Sequence, residues 1–399
     1  MKILLITQWY KPIKGAVKRM ARIADHLSKP GNEVTVLTGF PSYPTGILPK
    51  TYTWKLWASE KDKKVNILRT YEYPTPNKGV IKRLLNYFSF TVSASLAALF
   101  LPPQDVVIVS SPSFFAGIAG LIAAKLKKSQ FIFDIRDLWP DSAIELGFLK
   151  SKWQIKLLET LEKTYYRRAN KITTATPGIK RHLLAEKVPP EKLVLLLNSV
   201  NTEKFKPQKV SREKYGFKKD DFIVCYVGNH GRLYDLQNII KTALILKIFP
   251  KIKFLFVGEG EEKENLIKLA QKLKTRNVIF LPEKPNDEII KIVNFSDVGL
   301  ISLANIKVSQ ESMPVKASEY LGCGKPVVAS ISGDMKKYLI DHQAGLIYPT
   351  GSAQKAAEAI LKLYHNPKLL KKMGLNGRKL ALEVFSDKNF YKILDQLKD

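Results

Sequence analysis

The chain lays down one structural plan twice. Apolar runs suited to strands alternate with helix-like stretches from the start: KILLIT, a helical stretch around VKRMARIADHL, EVTVLT, then VNILRT, DVVIVS and FIFDI. After LLLNSVNTEKFKP, residues 195–207, the plan restarts with DFIVCYVG, a helix through LQNIIKTALIL, then KFLFVGEG, NVIFL, DVGLIS and KPVVAS. Strands that alternate with helices in this way form parallel β-α-β units. The repeat therefore predicts an α/β chain of two Rossmann-like, doubly wound domains facing across a cleft. At 399 residues there is enough chain for two cores. The polar segment Asn198–Pro207 marks the junction, giving domains at 1–198 and 199–382 with 383–399 beyond them. A ligand belongs in the crevice at the carboxyl ends of the strands.

Residues 310–330, QESMPVKASEYLGCGKPVVAS, carry the most chemistry. Pro314 suits the first turn of a helix, because its missing N–H would be unpaired there anyway, and Gly322 with Gly324 suits the exit. Lys316 and Glu319 then share one helix face, three residues apart, with Glu311 before the helix. A solvated ion pair on that face accounts for the spacing as well as a binding site does, and the rest of the chain decides between them.

The net charge is +29, from 65 Lys+Arg against 36 Asp+Glu, and such a field favours anionic partners: phosphorylated substrates, anionic lipid or nucleic acid. Only Cys225 and Cys323 are present, which gives neither a disulfide framework nor a metal cluster and suits a reducing, cytoplasmic setting. The five histidines are scattered without ligand spacing, so no metal is expected. Neither a Walker A loop nor a G-x-G-x-x-G follows the first strand. What the strand ends do carry are glycine turns: Gly15 and Ala16 ahead of a basic helix with Arg19, then Gly228-Asn229-His230-Gly231-Arg232, then Gly258-Glu259-Gly260. Glycines let backbone N–H groups approach a phosphate, and Arg232 and Lys316 add charge for a diphosphate.

Residues 84–101, LLNYFSFTVSASLAALFL, hold no charge over eighteen positions and follow Lys82-Arg83. Asn86 and three serines interrupt the run, and a strand follows directly. A helix covering the first sheet is expected, with a bilayer-surface helix as the alternative. A second stretch, residues 152–169, places Trp153, Leu157, Leu158, Leu161 and Tyr165 at helical spacing and reads as amphipathic.

Glu311 and Glu319 with seven residues between them, followed by YLGCGKPVVAS, resemble the Glu-x7-Glu signature of family 4 retaining glycosyltransferases of the GT-B fold. The resemblance extends over nearly the whole chain through the Gly15-Ala16 loop, VTVLTGFPSYPTG, NKGVIKRLLNY, RDLWPDSAIELG at 136–147, LLLNSVNTEKF, GNHGR and GEG. RDLWPDSAIELG and GFPSYPTG are similar to the branch that adds amino or deoxyamino sugars in surface polysaccharide and lipopolysaccharide assembly. The resemblance implies a nucleotide sugar as donor, with Glu319 on the ribose hydroxyls, Glu311 on the donor sugar, and Lys316 and Arg232 facing the diphosphate. It also implies Gly15 beside the donor phosphates, Gly258 beside the nucleotide, a reacting carbon near Arg136 and Asp137, and helices after Asn366, with 383–399 as the C-terminal helix, that cross back to brace the first domain. Two positions depart from the family pattern: Gln237 where relatives carry lysine, and Arg136 where they carry histidine. The implied reaction is hexosyl or N-acetylhexosaminyl transfer with retention, without cofactor or metal, to a glycan or polyprenyl-diphosphate-linked acceptor. The expected location is the inner face of the plasma membrane. Two other readings remain open at this point: a basic nucleic-acid-binding protein, and a GT-B-type nucleotide-sugar epimerase.

Overall fold

The computed structural model describes residues 1–13, 18–43, 45–76, 80–111, 113–145, 147, 149–305 and 312–397, without the side chains of Lys18 and Val80. Gly15, Ala16 and Glu311 lie outside the described residues.

The chain divides into two compact units, Met1–Leu197 with Tyr391–Asp399, and Asn198–Phe390. In the first, strands β1 (Lys2–Ile6), β2 (Glu33–Gly39), β3 (Trp57–Asp62), β4 (Val65–Thr70), β5 (Val106–Ser110), β6 (Gln130–Ile135), β7 (Lys171–Thr174) and β8 (Leu193–Leu195) form one sheet. Their order is β3-β4-β2-β1-β5-β6-β7-β8. All neighbours are parallel except β3 and β4, which pair antiparallel from Trp57 opposite Thr70 to Asp62 opposite Val65. The central strands are apolar on both faces because helices cover both sides, which a parallel sheet requires. β3 reads WASEKD with alternate residues exposed, and an edge strand of that polarity resists pairing with another chain.

The helix Val80–Phe100 packs on the helix Ala116–Lys127, which lies close to the sheet because a Cβ at Gly120 would stand 2.1 Å from Val109 Cγ2. Phe90, Ala94 and Ala98 from the first helix enter the core with Val107, Val109 and Phe133.

In the second unit β9 (Phe222–Val227), β10 (Ile252–Val257), β11 (Val278–Leu281), β12 (Val298–Ser302), β13 (Val327–Ser330) and β14 (Gly345–Ile347) form an all-parallel sheet of order β11-β10-β9-β12-β13-β14. The order reverses between β9 and β12, which in a doubly wound sheet opens a crevice at the carboxyl ends of those strands.

The carboxyl-terminal residues divide between the first unit and the second. The helix Pro367–Glu383 stays in the second, where Arg378 donates to the carbonyls of Thr202, Phe205 and Gly322 at 2.8–3.0 Å. Only Tyr391–Asp399 belongs to the first unit: Tyr391 stacks on His26 at 4.1 Å, and the Asp395 carboxylate lies 3.0 Å from the His26 ring nitrogen.

Candidate functional site

In the second unit the glycine turns after β9 and β10 interlock. Gly228 has φ +139° and Gly258 has φ +144°, conformations that a side chain strains, and a Cβ on Gly258 would lie 2.1 Å from the carbonyl oxygen of Gly228. Gly260 is equally confined, its Cβ position 2.5 Å from Asn229 Oδ1 and from the His230 carbonyl. His230 N–H donates to the Glu259 carbonyl and Glu262 N–H to the His230 carbonyl, both at 2.9 Å, so the two turns form one rigid backbone surface. The chain past Arg232 is pinned to the end of β12, where Asp235 N–H donates to the Ser302 carbonyl at 3.1 Å and Ala304 N–H to the Leu233 carbonyl at 2.9 Å.

Lys316 projects from the helix Val315–Gly322 onto this surface. Pro314 stands at the cap, one residue before the first turn expected for it. Tyr320, on the same helix, accepts a hydrogen bond at its phenol oxygen from Val227 N–H at 2.8 Å, which fixes the helix to the end of β9. Gly299 makes room for the Tyr320 ring, since a Cβ there would stand 2.3 Å from it. The Lys316 ammonium donates to the Tyr226 hydroxyl at 2.9 Å and sits 4.0 Å from the ring centroids of both Tyr226 and Tyr234. The Tyr226 hydroxyl in turn donates a hydrogen bond to the Asn229 carbonyl at 2.6 Å.

Burial lowers the Lys316 ammonium to about 7, with the Glu319 carboxylate acting in the opposite sense. The tyrosine rings offer a weak attraction and no counter-charge, so the cation is held ready for an anion. Glu319, on the next turn of the helix, is half-buried.

The other expected site residues divide. Arg232 and Gln237 line a cavity of about 470 Å³ with Gly231, Tyr234, Asp235 and Thr350. The Arg232 side chain is 79% exposed and lies 3.5 Å from Glu261 and 3.4 Å from Glu262, an exposed pairing weak enough for an anion to displace. His230 sits within the turn. It is fully buried, and its ring lies among Tyr226, Phe256 and Phe280. Burial, reinforced by the Lys263 and Lys316 charges, lowers the imidazole to about 4 and keeps it neutral.

In the first unit Arg19 is buried and engaged with another side chain. Its guanidinium grips the Asp134 carboxylate at 2.7 and 3.0 Å, and Asp134 also accepts from Ser110 Oγ at 2.9 Å and Thr173 Oγ1 at 2.6 Å. Burial alone would raise the Asp134 carboxyl, but the Arg19 charge and the hydrogen bonds from Arg19 and Thr173 hold it below its ordinary value. Arg136 and Asp137 follow β6, with Arg136 N–H donating to Ser111 Oγ at 3.3 Å. The Arg136 Nε is buried without a hydrogen-bond partner, and Asp137 is exposed.

Sequence reasoning missed Tyr226, Tyr234 and Tyr320, which hold Lys316 and its helix. Their sole signal was aromatic residues beside the glycine turn and the lysine helix. It also missed a buried network at the carboxyl end of β1, where Glu72 accepts from Ser42 Oγ at 2.8 Å and Gln8 Nε2 at 3.1 Å. There Gln8 also donates to Asn86 Oδ1 at 2.7 Å and accepts from Ser113 Oγ at 2.8 Å. Among the described residues no three His, Cys, Asp or Glu side chains gather as a metal site would need.

Residues 14–199 match the glycosyl transferase 4-like domain and residues 207–380 the family of glycosyl transferases group 1. The chain is 30% identical over 189 residues to EpsD of Bacillus subtilis (strain 168), named as a glycosyltransferase, a match covering 46% of this chain and 48% of EpsD. It is 25% identical over 338 residues to WcaI of Escherichia coli (strain K12), a glycosyl transferase named for colanic acid biosynthesis, covering 81% of this chain and 82% of WcaI. Among solved structures, Anabaena Alr3699/HepE in complex with UDP-glucose superposes with a TM-score of 0.73 at 15% identity, over 100% of this chain and 99% of that one. With a 4-like domain followed by a group 1 domain, and the GT-B fold in its structural neighbours, the chain belongs to the glycosyltransferases.

Proposed function

We propose that the protein moves a sugar from a UDP-linked donor to a glycan or polyprenyl-diphosphate-linked acceptor in cell-surface polysaccharide assembly. Retention at the anomeric carbon, independence of metal, and a peripheral location on the inner face of the plasma membrane belong to the same reading. The observation that carries it is Lys316: a buried ammonium held by Tyr226 and Tyr234 against glycine turns at the carboxyl ends of β9 and β10. A departing nucleoside diphosphate gathers negative charge, and a desolvated cation in a preorganised site stabilises that charge far more than it would in water. Arg232 supplies a second cation once the diphosphate displaces it from Glu261 and Glu262. Glu319, on the Lys316 helix, takes the ribose hydroxyls, while Glu311, Gly15 and Ala16 keep the roles that the resemblance implies for them.

The relatives support the choice of substrate: HepE was solved with UDP-glucose, and WcaI is named for colanic acid biosynthesis. Arg136 and Asp137 are the residues proposed nearest the reacting carbon. Front-side attack is the proposed route, with the leaving phosphate accepting the acceptor hydroxyl's proton. An amino or deoxyamino sugar is the proposed cargo.

A thermal-shift panel of nucleoside diphosphates and nucleotide sugars, with and without chelator, tests this on wild type and Glu319→Ala. A shift with UDP or a UDP-sugar that survives chelator and disappears in the variant is expected. No shift with any nucleotide would reject the donor assignment.

A further inference from the structure

The helix Val80–Phe100 has two apolar faces, of which the protein covers one. Phe90, Ala94 and Ala98 go into the core. On the opposite side Ile81, Leu85, Phe88, Val92, Leu96 and Leu99 stand between 44% and 76% exposed. Their spacing of three and four residues places them in one stripe along a helix of 21 residues, about 30 Å long. Phe100, 87% exposed, closes its carboxyl end, and Leu126 of the neighbouring helix is 55% exposed. Scattered apolar residues are normal on a protein surface, but a continuous stripe of this length marks something that covers it.

Charge identifies the occupant. Neither Val80–Phe100 nor Ala116–Lys127 contains an acidic residue. Lys82 and Arg83 lie at the amino end of the stripe, and Lys125, Lys127 and Lys128 end the neighbouring helix. The Lys127 ammonium donates to the Leu99 carbonyl at 3.2 Å, which places that basic cluster at the carboxyl end of the stripe. A second copy docked antiparallel on this face would set one basic end against the other with no acid between them. An anionic lipid surface meets both needs, taking the apolar stripe below its headgroups and the lysines among them. Among the described residues no helix is long and apolar enough to cross a membrane, so this one would lie in the interface.

We propose that the exposed face of Val80–Phe100, flanked by Lys82 and the Lys125–Lys128 cluster, docks the protein on a bilayer containing anionic lipid. The proposal extends the peripheral location given above to a named surface, and it does not rest on the donor site.

The test is co-sedimentation of the full chain with vesicles of phosphatidylcholine alone or mixed with phosphatidylglycerol, at low and high salt. Phe88→Glu with Leu96→Glu should reduce binding to the mixed vesicles about tenfold or more, because both substituted side chains would carry charge into the acyl boundary. Lys82→Glu with Lys125→Glu should lower binding to the mixed vesicles by about fivefold or more and leave the weak binding to phosphatidylcholine unchanged. Both variants should keep the wild-type melting temperature and UDP-induced shift, which separates lost docking from lost fold and from failure of the donor reading.

Absence of wild-type binding to mixed vesicles would overturn the proposal, as would wild-type binding by the Phe88→Glu/Leu96→Glu variant. A concentration-dependent dimer that this variant abolishes, without vesicle binding, would instead assign the stripe to a second copy.

Discussion

The ammonium of Lys316 lies 2.9 Å from the Tyr226 hydroxyl, directly below Gly228, where a Cβ would stand 2.8 Å from Nζ. Burial lowers this lysine from 10.5 to about 7. Between those values the unfolded chain holds a proton that the folded one has released, so this group makes stability rise with pH across that window. Lys316→Met should therefore stabilise the ligand-free protein by up to about 5 kcal/mol at pH 7 and below, with the gain fading towards pH 10. Chemical denaturation across that range checks it.

A bound diphosphate would raise the same lysine again, so nucleotide binding takes up a proton. UDP affinity should be greatest below pH 7 and fall above it by up to about tenfold per unit. Calorimetry in buffers of different ionisation enthalpy reads the proton directly. An affinity unchanged from about pH 6 to about pH 9, with no proton uptake, would remove Lys316 from the phosphate site.

Burial raises Glu72 from 4.5 to about 7, against the donors from Ser42 and Gln8 that favour its charge. The folded chain then holds a proton that the unfolded chain loses, so this group costs stability as pH rises from about 4.5 to 7. Glu72→Gln should remove that slope and stabilise the protein by up to about 3 kcal/mol at pH 8, since the Ser42 hydroxyl can turn to accept from the new amide. Denaturation of both proteins at pH 5 and pH 8 gives the comparison.

Two arginines should behave in opposite ways. Arg19→Met strands the buried Asp134 carboxylate and should cost about 3–5 kcal/mol of stability. Arg232→Ala removes an exposed pairing and should change stability by no more than about 0.5 kcal/mol, while lowering UDP affinity roughly tenfold. Melting curves with and without UDP separate the two. A stability loss at Arg232 as large as that at Arg19 would reject this division.

Gly258→Ala should cost more than Gly216→Ala, although both positions have positive φ. At Gly216 nothing lies within 4 Å of the new methyl, leaving backbone strain of about 1 kcal/mol. At Gly258 the methyl meets the Gly228 carbonyl, so the two interlocked turns must part and UDP binding should weaken as well.

The sequence by itself determined what depends on neighbours along the chain. The FIVCYV run is apolar at every position and so becomes a strand covered on both faces, and the three-residue spacing of Lys316 and Glu319 puts both on one helix face. β3 escaped notice because an edge strand needs no apolar run: WASEKD is held by the ladder that β4 offers. The tertiary structure decided which polar groups meet. Arg19 looked like a phosphate ligand from its place after a glycine turn, yet Asp134, 115 residues away, occupies it. Lys316 shares a helix face with Glu319 in the sequence, and it is a buried cation because β9 brings Tyr226, 90 residues away, against it. A periodic pattern states which face is buried. What waits inside that face depends on strand order, and strand order is set by the burial summed over the whole sheet rather than by any local spacing.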